Sequence, residues 1–404
     1  MRLILLIIGF LCLASMGCGV QSVISSTPIQ NSKQGADEVG ELSDATKAKP
    51  PVKKTVTLVA TGDILMHNTQ IASGQQADGS FQFDSFFKPV RSLIEYGDYA
   101  STNFEAAMAG GGSGYTGYPK FNSPDEMAAT LKEAGYDVVI TSNNHILDRG
   151  YLGAIRTMGV LRDAGLDIVG TYQCQEEKES FLIKDLDGIR VGYLAYSYGT
   201  NGIPVPKEHP YFFNFLNKET VLKEINQLRP KVDVLVLVLH WGVEYSLQPT
   251  EEQRELARIF LEAGVDVILG SHPHVIQPME VMKINNQDKF VIYSMGNFIG
   301  DQRGVERNSG VILNLNFQKD MSRGQTVLKN VSYTPTYSHS YLDKGRRRRF
   351  RVVAVEDAIR KVQEGKEPYL KSSDLAVLKQ VLAQTQKQLG TPFNRTEVLN
   401  SSNT

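Results

Sequence analysis

Cysteine is scarce in this chain: only Cys12, Cys18 and Cys174 occur, and the first two lie in an apolar N-terminal stretch. The folded part therefore carries one thiol, which excludes an internal disulfide framework and a cysteine-built zinc site. Charge of one sign is lacking too, since Lys+Arg 43 against Asp+Glu 44 leaves a formal net charge of -1. Without a global field to hold polyanionic bases and phosphates, a general nucleic-acid binder is not expected. The apolar stretch Leu3 to Met16 falls short of the roughly 20 residues that span a bilayer. What remains, 41% hydrophobic residues over 404 positions, is the composition of a globular protein of one large or two ordinary domains.

Arg2 followed by that stretch reads as a signal peptide over residues 1–18. It ends in Ser15-Met16-Gly17-Cys18, which resembles a bacterial lipoprotein processing site with Ser15 where Leu is usual. Export and lipidation of Cys18 are expected, with ordinary cleavage or an uncleaved anchor as alternatives. Residues 19–54 are rich in Ser, Gln, Lys, Asp, Glu and Pro without period, and read as a flexible tether. The expected location is extracytoplasmic, anchored to the cell membrane.

From Thr55 the pattern is α/β. Buried strands are predicted at Val56 to Ala60, Val138 to Thr141, Val191 to Tyr196, Val232 to Leu239, Val265 to Leu269 and Phe290 to Tyr293. Antiparallel strands are predicted over Pro278 to Ile284, Lys289 to Tyr293, Gly310 to Phe317 and Gln325 to Tyr333. Ser123-Pro124-Asp125-Glu126 and Thr250-Glu251-Glu252-Gln253 read as capping boxes, and Gly135, Gly165 and Gly264 as helix stops. An Ala-Gly-x-Asp echo, at Ala134 to Asp137 and Ala263 to Asp266, leads into Asn143-Asn144-His145 and into His272-Pro273-His274. Ligands gather beyond the carboxyl ends of strands in such sheets; the plainer reading is that this sequence recurs wherever a helix feeds a strand. Residues 351–404 read as a peripheral helical segment and tail.

Five segments share one arrangement, an apolar strand breaking into metal-binding side chains. They are Gly62 to His67, Asn103 to Glu105, Ser142 to His145, Leu239 to Gly242 and Gly270 to His274, and they hold five of the seven histidines. Imidazole, carboxylate and amide oxygen without thiolate suit Mn, Fe or Zn. Asp63, Asn103, Glu105, Asn144, His240, His272 and His274 exceed the needs of one tetrahedral ion, so two divalent ions sharing a carboxylate are expected.

With Asn143 to Gly150, His240 to Tyr245 and Tyr293 to Phe298, these segments resemble the CapA-type capsule-synthesis proteins of the poly-γ-glutamate capsule family, within the calcineurin-like metallophosphoesterase superfamily. The resemblance covers about Thr55 to Phe350, giving a domain at 55–350. It implies a four-layer α-β-β-α metallophosphatase-like sandwich with mixed sheets. It also implies Asp63 and His274 on one ion, Glu105 as the bridge where relatives usually carry Asp, and Asn144, His240 and His272 on the other. His145 matches the histidine that protonates the leaving oxygen, and Asp148 would orient it. His67 stands four residues after Asp63 instead of two, so it is either a ligand or a capping or outer residue. Asn103 is expected behind the ligands.

Glu244 and Tyr245 fit either a substrate contact or a structural loop, and Glu280 a solvent-facing strand position. Gly110 to Tyr115 lacks the Lys-Ser/Thr of a phosphate loop and reads as a mobile rim. Lys344 to Arg351 fits either a polyanion or headgroup contact or a solvated basic face. Expected partners are an anionic polymer or phosphoester substrate, the membrane through Cys18, and a capsule-synthesis membrane complex, with no nucleic acid. The functional expectation is a metal-dependent hydrolase; the rival is a noncatalytic polymer-binding assembly subunit.

Overall fold

The computed structural model describes residues 52–390 and 393–394. The expected signal peptide, Cys18 and nearly all of the tether lie outside the described residues, as does the end of the tail. Among the described residues no helix is long and apolar enough to cross a membrane.

One sheet starts with β1 (Lys53–Ile64), β2 (Tyr99–Phe104), β3 (Val138–Ile140) and β4 (Asp167–Val169). The chain then builds a second from β5 (Leu182–Leu186), β6 (Ile189–Ser197), β7 (Val234–His240), β8 (Val267–Ser271), β9 (Met279–Ile284) and β10 (Gln287–Ile292). It returns to the first with β11 (Asn297–Ile299), β12 (Ser309–Asp320), β13 (Gln325–Leu342), β14 (Arg348–Ala354) and β15 (Phe393–Asn394). Strands β1 to β4 are parallel, and β12 to β14 extend the other edge antiparallel. In the second sheet β6, β7, β8 and β10 are parallel, with β5 and β9 antiparallel at the edges. Both sheets are therefore mixed.

Val234, Val236 and Val238 of β7 pack between the sheets with Val56, Leu58 and Ala60 of β1, whereas Leu235, Leu237 and Leu239 face the helices. Burial on both faces is why these strands read as unbroken apolar runs. The first sheet's outer face is covered by α1 (Asn68–Gly74), α2 (Arg91–Ile94), α3 (Glu126–Glu133) and α4 (Gly150–Asp163), through residues such as Ile71, Ile94, Leu131 and Leu161. After α5 (Gln175–Ser180), α6 (Lys218–Leu228) and α7 (Glu251–Glu262) cover the second with Val221, Ile225, Ala257 and Phe260. The layers run helix, sheet, sheet, helix, as expected.

An aspartate just ahead of a parallel strand ties that strand to its neighbour. Asp98, Asp137, Asp233 and Asp266 accept the backbone N–H of Thr57, Ala100, Arg190 and Leu235 at 2.7, 3.0, 2.7 and 2.8 Å. Each aspartate's own N–H returns a bond to the carbonyl of the same residue. This accounts for the Ala-Gly-x-Asp echo: the glycine ends the helix at positive φ, 101° at Gly135 and 118° at Gly264, and the aspartate sets the register. The echo is thus a structural device, and it brings both polar clusters to strand ends because register fixes where each strand stops.

Three expectations change. Thr250 does form a capping box with Gln253, but Ser123-Pro124-Asp125-Glu126 does not; the Asp125 carboxylate instead takes Arg156 of α4 at 2.7 Å. The described residues form one unit, so the division expected at residue 350 falls inside β14. The segment beyond is not peripheral, since α8 (Val355–Gln363) and α9 (Leu375–Leu389) bury Val355, Ala358, Leu378 and Val381 against Val353 of β14, and Leu389 reaches the core between the sheets. An amphipathic face, hidden by the polar average of the segment, explains the difference.

Candidate metal centre

The polar cluster assembles where β1, β2, β3, β7 and β8 end. Asp63 closes β1 beside a segment that passes unusually near: a side chain on Gly62 would meet the Gly296 carbonyl at 2.0 Å, and one on Gly270 the Tyr293 carbonyl at 1.8 Å. Only glycine admits Tyr293 to Asn297 this close, and that segment then delivers Asn297 to the cluster.

Asp63 and Glu105 are fully buried. Asn103 Nδ2 donates to Asp63 Oδ1 at 2.8 Å and to Glu105 Oε2 at 3.3 Å, so Asn103 stands behind the carboxylates and orients both. Asn143 fixes Asn103 in turn, donating to its Oδ1 at 3.1 Å. Glu105 Oε1 lies 3.6 Å from His240 Nε2 and 3.7 Å from His274 Nε2, and has no hydrogen-bond donor. Asn144 Oδ1 is 2.9 Å from His240 Nε2, while His240 Nδ1 meets Ser271 Oγ at 2.9 Å. His274 Nδ1 lies 3.0 Å from Asn297 Oδ1 and 3.3 Å from Asp63 Oδ2. His272, at φ 95°, leaves its buried Nδ1 without a partner.

Three groups of ligand atoms each fall within 4.8 Å of one another: Glu105 with His240 and His272, Asp63 with Glu105 and His274, and Glu244 with His272 and His274. Asp63, Glu105, His240, His272 and His274 are thus brought together, with Asn144 at their edge. His67 is in none of these groups. It precedes α1, where its N–H donates to Gln70 Oε1 at 2.8 Å and its Nδ1 lies 3.2 Å from the Asp301 N–H.

Burial drives the electrostatics. Desolvation raises the Glu105 carboxyl well above the carboxylate range against the pull of His274, with Asp63 adding to the rise. Burial and the neighbouring histidines hold His240 far below the imidazole range and His272 down to about 3. Burial opposes protonation of His274 as well, but Glu105 and Asp63 overcome it and raise that ring to about 9. A buried carboxylate oxygen and imidazole nitrogen without partners are each worth about 1–3 kcal/mol of lost solvation. Divalent ions fit this donor set of oxygen and imidazole, since they would engage both orphaned atoms and balance the carboxylates.

His145 sits beside the ligands, with Nδ1 2.8 Å from Asp148 Oδ2 and its ring edge-on to Phe121 at 4.7 Å. Tyr198 lies 4.5 Å from the His272 ring, and Arg307 packs 3.6 Å from the centre of the Tyr245 ring. Sequence reasoning gave no place to Asn201, which receives Asn144 Nδ2 at 3.1 Å, or to Asn297. Asn201 follows a Gly-Thr pair that reads only as a turn; Asn297 was visible inside Tyr293 to Phe298 but unassigned. Glu280 pairs with Arg254 at 2.8 Å on the outside of β9. Gly110 to Tyr115 is held by Asn122, whose Nδ2 donates to the carbonyls of Gly110 and Gly114. In the basic run Arg348, Arg349 and Arg351 pair with Asp301, Asp343 and Glu367.

Residues 57–302 match the family described as bacterial capsule synthesis protein PGA_cap. The chain is 29% identical over 321 residues to the capsule biosynthesis protein CapA of Bacillus anthracis, covering 74% of this chain and 75% of that one. It is 28% identical over 294 residues to the PGA biosynthesis protein CapA of Bacillus subtilis (strain 168), covering 68% and 73%. Among solved structures, the calcineurin-like phosphoesterase YfkN from Bacillus subtilis aligns at 14% identity and a TM-score of 0.42, covering 83% of this chain and 99% of that one.

Proposed function

Because the chain belongs to the bacterial capsule synthesis protein family PGA_cap, we propose that it is a two-metal hydrolase of phosphoester type. In this reading it supports the synthesis, export or anchoring of an anionic capsule polymer such as poly-γ-glutamate, from an extracytoplasmic position tethered through a lipidated Cys18. The observation that carries the hydrolase reading is Glu105, common to two groups of ligand atoms, with its buried Oε1 lacking a donor.

Glu105, His240 and His272, with Asn144, would hold one ion, and Asp63, Glu105 and His274 the other. Bound there, the pair supplies Lewis-acid polarisation of a phosphoryl oxygen and a lowered pKa for water. The protein's own part is to hold and move protons. Asp148 engages His145 Nδ1, which leaves Nε2 to donate to a leaving oxygen. Asn103 keeps the carboxylates aimed inward, and burial of the cluster strengthens each charge by excluding water. Glu105 in place of the usual Asp and the outlying His67 favour the second reading, a polymer-binding assembly subunit without turnover.

The two readings part on one experiment. The purified protein, reconstituted with Mn²⁺, Fe²⁺ or Zn²⁺, is assayed on a panel of phosphomonoesters and phosphodiesters. Metal-dependent hydrolysis that His145→Ala sharply slows on poor leaving groups supports the enzyme. Retained ions with no hydrolysis of any substrate supports the assembly subunit.

A further inference from the structure

We propose that Glu244 is a ligand of this centre, giving a carboxylate oxygen to the ion held by Asp63, Glu105 and His274; this rests on the two-ion reading above. Its carboxylate falls within 4.8 Å of a ring nitrogen of both His272 and His274, and a carboxylate with two imidazoles is a common divalent-metal donor set. His272, whose buried Nδ1 has no partner, belongs to the other ion's group, so the approach that bears on this ion is the one to His274.

The backbone around Glu244 is clamped to the histidine loop on both sides. Trp241 N–H donates to the Ser271 carbonyl at 3.1 Å, and Tyr245 N–H to the Pro273 carbonyl at 2.8 Å. Trp241 is anchored further by its Nε1 donating to the Tyr293 carbonyl at 3.0 Å. Between these anchors Gly242 and Tyr245 adopt φ of 90° and 65°. For tyrosine that is a disfavoured region, maintained only where surrounding contacts enforce it. A glutamate needed only for solubility would not require such a mounting.

Which ion Glu244 serves follows from counting donors. His272 and His274 already belong to groups containing Glu105, so no separate third ion has histidines to itself. The ion on Glu105, His240 and His272 also has Asn144 Oδ1 at hand, 2.9 Å from His240 Nε2. The other has Asp63, Glu105 and His274, with His67 outside the group. Glu244 supplies its fourth protein donor, and being exposed it closes the solvent side, where an entering anion would displace it.

The test uses the full chain, stripped with chelator and titrated with Mn²⁺ by calorimetry, with metal content measured after desalting. Wild type should take two ions. Glu244→Ala should weaken one site by about 100-fold or more and leave the other, since even residues that merely orient a ligand are worth about 10- to 100-fold. His67→Ala should keep both within a few-fold, and Glu244→Asp, which restores a carboxylate, should recover part of the weakened site. Equal melting temperatures in chelator would confirm that the variants fold. Wild-type affinities in Glu244→Ala, or a Glu244→Asp protein as weak as Glu244→Ala, would overturn the assignment. If wild type itself takes fewer than two ions, the two-ion reading falls first and carries this inference with it, a failure visible before any substitution.

Discussion

His145 Nδ1 lies 2.8 Å from Asp148 Oδ2, and that same oxygen accepts the Phe121 N–H at 2.7 Å. The carboxylate is thereby fixed by backbone, and the imidazole by the carboxylate, with Phe121 flanking the ring. Such a pair is suited to deliver a proton from Nε2 and has no need to bind an ion. His145→Ala should therefore retain metal and lose about 10²- to 10⁴-fold in turnover on poor leaving groups. The loss should shrink with nitrophenolate, which needs little protonation. Asp148→Asn should fall in the same direction by a smaller factor, and metal loss in His145→Ala would show that the ring is a ligand instead.

The register aspartates differ in what they hold. Asp266 accepts the Leu235 N–H and also pairs with the buried Lys289 and the partly exposed Arg229, whereas Asp98 is exposed and its carboxylate holds the Thr57 N–H. Asp266→Ala should destabilise by about 3 kcal/mol, because it strands the buried Lys289 as well as a backbone donor. Asp98→Ala should lose clearly less. Urea denaturation of both variants measures this, and equal losses would contradict it.

Acid stability should depend on a histidine remote from the centre. His339 on β13 is pulled down to about 4 from 6.5, by burial first and then by Arg351, whose Nε donates to its Nδ1 at 3.2 Å. The unfolded chain binds this proton more readily than the folded one, so stability is unaffected above about 6.5 and falls as pH drops towards about 4. His339→Gln should flatten part of that slope in unfolding titrations of the metal-loaded protein. An unchanged slope would mean that other groups carry the acid sensitivity.

Membrane retention should depend on Cys18. The Ser15-Met16-Gly17-Cys18 pattern predicts that Cys18→Ser shifts the protein from the membrane fraction to the soluble one. Full retention of the variant after a high-salt wash would argue for an uncleaved anchor.

Much of this arrangement was legible in the sequence because the strands are buried on both faces and end abruptly in polar residues. Asp63, Glu105, His240, His272 and His274 stand at such endings, so type and position pointed the same way. Glu244 was ambiguous for the opposite reason: it sits in a loop without period, and only the folding of that loop onto Pro273 brings it near the histidines. The arginines from Arg348 to Arg351 looked unopposed because their carboxylates lie elsewhere in the chain, at Asp301, Asp343 and Glu367. Ser123 to Glu126 had the composition of a helix cap, but Arg156 competes for Asp125 across a helix pair that no local pattern encodes.

The central claim, two ions sharing Glu105, is tested most directly by metal analysis of the purified protein beside Glu105→Gln and His272→Ala. A shared carboxylate predicts two equivalents in wild type, one or none after Glu105→Gln, and a loss confined to one equivalent after His272→Ala, each with a parallel fall in hydrolysis. Wild-type metal content in Glu105→Gln would contradict a bridging role, and a metal-free wild type under saturating Mn²⁺ and Zn²⁺ would contradict the centre itself.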